Sequence, residues 1–426
     1  MAIVADLTNT NYNYIIIRGG EAGCVTASRL AEALPDCKIP MIGAGPSGLD
    51  NKSILDLRSM DNLMGGEFDY GFKSTEQPNV NSNIFHLRAK VLNGCSSHND
   101  RIRATFMLIY DRHQKPIALK IPNVDSVNHE ITSAVSISKS GVSLCYLTCD
   151  QDTGYRVSAS VAYIHPILRG EKKRPNLTVL TNAWIYRIDV IDGFTTGVNV
   201  TLQFSRKLSI NAKKETILCA GANDTSIGLL FGIGVINDLP GVGENLQNHP
   251  EVIITWELHE PREDKTVLWA DVALLACREP PNIQGGDGTA PDALMHIYTI
   301  PFDVHQAALG YASPKTVISL TPHSADPGEH PAINFRYFTD PDGYDEKTIH
   351  LLSKWIKRDV APGSGCQTDQ ELSEYRRKTP TRLRIADASV FPLIPIIKLI
   401  LTVLAVGQRT SEIIIANANK NLTANL

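Results

Sequence analysis

Residues 12–34, YNYIIIRGGEAGCVTASRLAEAL, decide how the rest of the chain is read. Residues 14–17 are a tyrosine followed by three isoleucines, which predicts a buried strand. Gly19, Gly20 and Gly23 then predict a turn, and apolar positions at helical spacing predict a helix from about Ala22. This is the opening β-α of a dinucleotide-binding unit. Glycines let the backbone approach a pyrophosphate, and the unpaired N–H groups and dipole of the helix N-terminus favour its charge. Against the pattern G-x-G-x-x-G, the second and third glycines fall on Gly20 and Gly23, while the first position is Arg18, whose side chain is expected to crowd the turn. An acidic residue is also expected at the end of the second strand, within residues 38–46, KIPMIGAGP, to accept a ribose hydroxyl. Gly43 stands there instead.

Composition bounds the rest. A chain of 426 residues with 43% hydrophobic and 20% charged content suffices for two globular domains. A net charge of −4 gives no basic footprint, which argues against a nucleic-acid partner. The opening residues, MAIVADLTNTNYNY, have neither the basic nor the apolar region of a secretory signal. Of eight cysteines only Cys145 and Cys149 are close in sequence, and no second pair accompanies them, so no metal site is expected. Reduced thiols and a cytoplasmic location are the expectation. The most apolar run, residues 394–406, is shorter than the roughly 20 residues a bilayer requires and contains Lys398, so it reads as a buried core segment.

Further along, residues 50–85 are polar and turn-rich, with no legible chemistry. Residues 87–99, LRAKVLNGCSSHN, place small residues in a row, as backbone lying against a flat ring requires. Residues 154–163 read as a helix, residues 176–188 as a β-branched strand, and residues 197–202 and 214–222 as further strands. Residues 252–258, 293–301, 315–321 and 332–338 are short strand-like runs separated by Pro, Gly and Asp, which suggests an antiparallel sheet. Helices are expected from residue 338 through Trp355 and over residues 368–375.

These motifs, in this order, resemble the glucose-methanol-choline (GMC) oxidoreductases, a family of FAD enzymes that oxidise alcohols. The resemblance rests on residues 12–34 followed by IGAGP, on residues 87–99, on residues 239–249, LPGVGENLQNH, and on residues 383–392, LRIADASVFP, with the helix beginning LTVLAVGQR after them. It implies an α/β (α+β) fold in which a Rossmann-like FAD-binding domain, built from residues 12–99, 154–250 and 383–416, interleaves with an antiparallel-sheet substrate domain, residues 251–379. Residues 100–153 are a divergent cover segment. By the same resemblance FAD is held by Gly19, Gly20, Gly23, Leu92, Gly94, Ser96, Ser97, Asn99, Ile185, Gly221, Asp387, Ala388, Thr402 and Val403, and Arg18 and Gly43 are expected to weaken it.

The resemblance fails where the chemistry is done. Between Tyr375 and Leu383 the family carries His-x-x-Gly-Thr-x-x-Met-Gly, whose histidine takes the alcohol proton. Here the interval is RRKTPTR, and the last histidine of the sequence is His350. The partner position aligns with Lys398, the only catalytic candidate. Three functions stay open: an FAD-dependent oxidoreductase of CH–OH donors with impaired activity, a non-redox lyase, isomerase or cyclase on the same fold, and a non-catalytic remnant.

Overall fold

A computed structural model describes residues 11–56, 63, 65–77, 83–97, 155–202, 206–223, 246–248, 332–335, 383–391 and 400–423, together with eight further strands within residues 102–321 as backbone. Its central element is a seven-stranded sheet. In chain order the strands are β1 (Asn11–Ile17), β2 (Ile39–Ile42), β3 (Leu177–Leu180), β4 (Ala183–Ile191), β5 (Phe194–Leu202), β6 (Arg206–Leu218) and β7 (Leu383–Ile385). They lie side by side as β3-β2-β1-β6-β5-β4, with β7 also pairing with β6.

The pairing changes character along β6. Its last residues run parallel to β1 and to β7, while its first half pairs antiparallel with β5, which pairs antiparallel with β4. One strand of 13 residues thus serves both a parallel sheet and a three-stranded meander.

The isoleucine run of β1 is explained by this arrangement. Strand side chains alternate between faces, and a parallel sheet covered on both sides buries both, so the sequence reads as continuous rather than alternating. Tyr14 and Ile16 join the cluster that includes Cys24, Leu30, Met41 and Leu92. Ile15 and Ile17 join the opposite cluster with Ile188, Val198, Val200 and Ile210 from the meander. A register shift between Tyr12 and Tyr14 puts Tyr12 on the meander side as well.

Helix α1 (Glu21–Ala33) covers the first face and is joined there by α2 (Ile400–Thr423). The two cross so closely that a Cβ on Gly407 would stand 2.6 Å from the carbonyl oxygen of Ala22. Thr26 Oγ1 donates to the Gly407 carbonyl at 3.3 Å, and Arg29 Nε donates to Gln408 Oε1 at 2.9 Å. The apolar segment ending at residue 406 contributes the buried Val403 and the partly buried Leu404 and Val406 to this packing. Among the described residues no helix is long and apolar enough to cross a membrane.

A second sheet has five antiparallel strands in the order Glu251–Glu257, His305–Ala312, Ala293–Thr299, Ala270–Ala276 and Gly141–Leu144. The antiparallel expectation for residues 251–338 agrees with this, but two of its strands, Ala270–Ala276 and His305–Ala312, are not singled out by the pattern. Both are rich in alanine, which has little β propensity. The strands Ser319–Thr321 and Ala332–Asn334 pair with each other instead. The helix expected over residues 154–163 begins later, at Ser160. Tyr155 is instead bridged to Asp56, and Arg156 N–H donates to the Leu55 carbonyl, which holds the preceding residues extended. The helices expected around Trp355 and over residues 368–375 lie outside the described residues.

Candidate functional site

The C-terminal ends of β1, β6 and β7 meet at one edge of the sheet, and three short segments converge there. That edge is where open α/β sheets bind ligands. The first segment is the turn after β1. Arg18 N–H donates to the Ile42 carbonyl at 2.8 Å, closing β1 onto β2, and Gly20 caps α1 with extended backbone and no side-chain cap. A Cβ on Gly19 would lie 2.3 Å from Leu92 Cδ1, and one on Gly23 would lie 2.4 Å from the Arg18 carbonyl oxygen. The backbone carbonyl at Gly23 admits nothing larger than glycine, whereas a side chain at Gly19 would have to displace the end of Leu92.

The expected crowding by Arg18 takes a different form. Its backbone is left-handed, φ 69°, which costs about 1–3 kcal/mol for a non-glycine residue. Its side chain leaves the turn, with the guanidinium 4.8 Å from the Tyr70 ring centre and 5.0 Å from that of Trp184. Contacts of this kind contribute about 0.5–2 kcal/mol and offset much of the strain. Tyr70 lies in the stretch that carries no legible chemistry, and no local signal in the sequence pairs it with Arg18.

The second segment is the 3₁₀ turn Gly94–Ser97. Asn93, fully buried with φ 101°, organises it. Its N–H donates to the Gly19 carbonyl, its Nδ2 donates to Ser97 Oγ at 2.9 Å, and its Oδ1 accepts from Ser160 N–H at 3.1 Å. Arg156, 1% exposed, places Nη1 3.5 Å from the Ser96 carbonyl. Glu21 links this segment to the first, since its Oε1 accepts from Ser96 N–H at 2.9 Å. Asn93, Arg156 and Glu21 are therefore part of the framework, although the sequence motifs marked only their neighbours.

The third segment joins the ends of β6 and β7. Asp387, 3% exposed, caps the 3₁₀ turn Ala388–Val390 by accepting from Ser389 N–H at 2.9 Å and from Ser389 Oγ at 2.7 Å. Its other oxygen accepts from Gly221 N–H at 3.1 Å, and Gly221 has φ 83°. Burial raises the Cys219 thiol pKa well above its ordinary value, and the Asp387 carboxylate adds to the effect.

Of the residues expected in the site, the structure gathers Gly19, Gly20, Gly23, Leu92, Gly94, Ser96 and Ser97 around the turn and places Gly221, Asp387 and Ala388 together at the same edge. Thr402 and Val403 are in the first turn of α2. Ile185 lies in β4, opposite Val200, and packs with the meander cluster, and the start of its strand is tied to the end of β2, where Ala183 N–H donates to the Gly43 carbonyl at 2.9 Å. Asn99 and Lys398 lie outside the described residues, as do the interval RRKTPTR and all of residues 239–249 except 246–248. Gly43 has space around it, since a Cβ there would meet Leu92 Cδ1 at 3.6 Å and the Leu180 carbonyl at 3.7 Å.

Comparison with known proteins adds to this geometry. Residues 125–251 match the family model described as GMC oxidoreductase. Choline oxidase of Arthrobacter globiformis is 27% identical over an alignment of 544 residues that takes in 99% of this chain and 97% of the relative. Because this alignment is longer than the 426 residues of the chain yet reaches almost to the ends of both proteins, its gaps are internal. The oxygen-dependent choline dehydrogenase of Staphylococcus haemolyticus (strain JCSC1435) is 25% identical, covering 86% of this chain and 81% of that protein. Among solved structures, pyridoxine 4-oxidase from Mesorbium loti superposes with a TM-score of 0.72 at 17% identity, covering 94% of this chain and 98% of the other. A formate oxidase does so with a TM-score of 0.72 at 18% identity, covering 97% and 99%.

Proposed function

The chain belongs to the GMC oxidoreductase family, and from that premise we propose that it holds FAD against the glycine turn and takes hydride from a choline-like alcohol. The reaction class, FAD-dependent oxidation of a CH–OH donor, is that of the family. One observation carries the assignment to this edge of the sheet: the glycine turn, the Gly94–Ser97 turn and the Asp387 turn converge where the parallel strands end.

The residues present fit the cofactor. Gly23 has no room for a side chain against the Arg18 carbonyl, Gly19 lies against Leu92, and the first N–H groups of α1, which have no intrahelical acceptor, receive no side-chain cap from Gly20. Gly19, Gly20 and Gly23 would then take the phosphates, with Leu92 backing the turn. Gly94, Ser96, Ser97 and Asn99 would lie along the ring system, and Ile185 would contribute through its backbone. Gly221, Asp387 and Ala388 would close the edge, with Thr402 and Val403 supplied by α2. FAD, when bound, supplies the hydride acceptor.

The proton requires a group from the protein, and here the chain departs from its relatives. No histidine follows His350, the interval where the family carries its histidine is RRKTPTR, and the partner position, Lys398, is cationic at its reference pKa of about 10.4 and accepts no proton. General-base help is worth about 10²–10⁴-fold, so turnover is expected to be slower by that order. The named activity of the two curated relatives supports a choline-like substrate, and we place the protein in the cytoplasm. The missing base also favours a second reading, in which FAD is kept without redox use by a lyase, isomerase or cyclase.

The test is anaerobic mixing of the FAD-reconstituted chain with choline while oxidised-flavin absorbance is followed. Slow bleaching that is insensitive to Lys398→Met supports an alcohol oxidoreductase working without its usual base. Bleaching abolished by Lys398→Met would make the lysine the base and overturn that assignment. A stable oxidised flavin with choline and with other small alcohols would select the second reading.

A further inference from the structure

Glu21 is the first residue of α1 and the acidic residue of its first turn. Oε1 is held by Ser96 N–H at 2.9 Å, and Oε2 lies 3.8 Å from the place a Cβ on Gly94 would occupy. The carboxylate therefore sits between the two backbone segments that, in the reading above, embrace the cofactor. Its charge reaches the neighbouring groups: with burial it raises the pKa of the Cys24 thiol, and it acts in the same direction on Cys95. A carboxylate in this position satisfies the helix dipole, which is the service a pyrophosphate would render. An incoming dinucleotide brings like charge to within a few ångströms of it, where screening by water is incomplete.

We propose that Glu21 is an internal anion that sets the affinity for FAD, bracing Ser96 in the cofactor-free chain and opposing the phosphates as they enter. The proposal rests on the reading that the glycine turn holds FAD. It differs from a purely structural role in direction, because removing a strut weakens a site whereas removing an opposing charge strengthens it.

Glu21→Gln separates the two, since glutamine keeps an oxygen for Ser96 N–H and loses the charge. FAD is titrated into the purified full chain and into the variant, with quenching of flavin fluorescence as the readout, at low and at high salt. The variant is expected to bind FAD about tenfold more tightly at low salt. The wild type should gain affinity as salt screens the repulsion, and the variant should gain less. Equal or weaker binding by Glu21→Gln would overturn the proposal. If wild type and variant, both folded by circular dichroism, take up no FAD at any salt, the cofactor reading itself fails and the proposal fails with it.

Discussion

The two faces of the parallel sheet are packed by different means. On the meander face, apolar side chains of β4, β5 and β6 interdigitate with Ile15, Ile17 and Leu218, and each contributes through buried area. On the helix face, at the end where α1 begins, backbone lies almost directly on backbone: Gly407 on Ala22, Gly23 on the Arg18 carbonyl, Gly20 beside Asn93. The first kind of packing tolerates exchange of one apolar residue for another of similar volume. At Gly407 and Gly23 the second tolerates no added atom. Both faces carry stability, the helix face through its own cluster around Leu30, Ile39, Met41 and Ile164, while the geometry of the ligand edge rests on the close backbone contacts.

Cutting a large side chain from the meander face should break only stability. Ile188, 4% exposed, changed to alanine is expected to cost about 2–5 kcal/mol, read as a lower denaturant midpoint, with the Kd for FAD unchanged under conditions where the chain stays folded. Gly407→Ala acts on the other face. Its Cβ would stand 2.6 Å from the Ala22 carbonyl oxygen and 2.8 Å from its Cα, so α2 must move away from the start of α1. A loss of about 1–3 kcal/mol is expected, accompanied by weaker FAD binding in the same titration. A Gly407→Ala variant that lost stability but kept its affinity would remove the distinction between the faces.

Gly43→Glu should strengthen the ligand edge, because a Cβ there meets its nearest atoms no closer than 3.6 Å. One restored hydrogen bond to a ribose hydroxyl is worth about 0.5–1.5 kcal/mol, so FAD should bind several-fold more tightly. The gentlest effect is that of pH. Burial, with Arg88 adding to it, holds His86 well below the ordinary histidine range, and burial lowers His165 as well. Both resist protonation when folded, while the unfolded chain takes up their protons near pH 6.5. Stability therefore falls as pH drops through about 6.5 toward the folded-state values. Denaturant midpoints measured between about pH 7 and about pH 5 should show that slope. His86→Phe, which preserves an aromatic partner for Phe335, should flatten it.

How much of this was legible in the sequence follows from the same contrast. The β1-α1-β2 unit declares itself, because a strand buried on both faces and a glycine turn leave unmistakable residue types. The partners that hold the turn do not. Asn93 and Glu21 stand inside the motifs without being marked by them, and Tyr70 lies more than fifty residues from the Arg18 it packs against. Their roles depend on positive φ values and on contacts between segments distant in sequence, which no local period encodes. Arg18 illustrates the limit, since its residue type predicts a crowded turn, whereas the fold sends the guanidinium out between two rings. The second sheet is half legible for another reason: strands rich in alanine and glycine carry little β signal of their own and form through pairing with stronger neighbours.

Amide hydrogen exchange with and without FAD tests the division between the faces most directly. FAD should slow exchange at the amides of residues 20–24 and 94–97 and leave those of Phe194–Leu202 in the meander unchanged. Protection confined to the meander, or none at the glycine turn in a chain that retains flavin, would contradict the assignment of the cofactor to the end of the sheet where α1 begins.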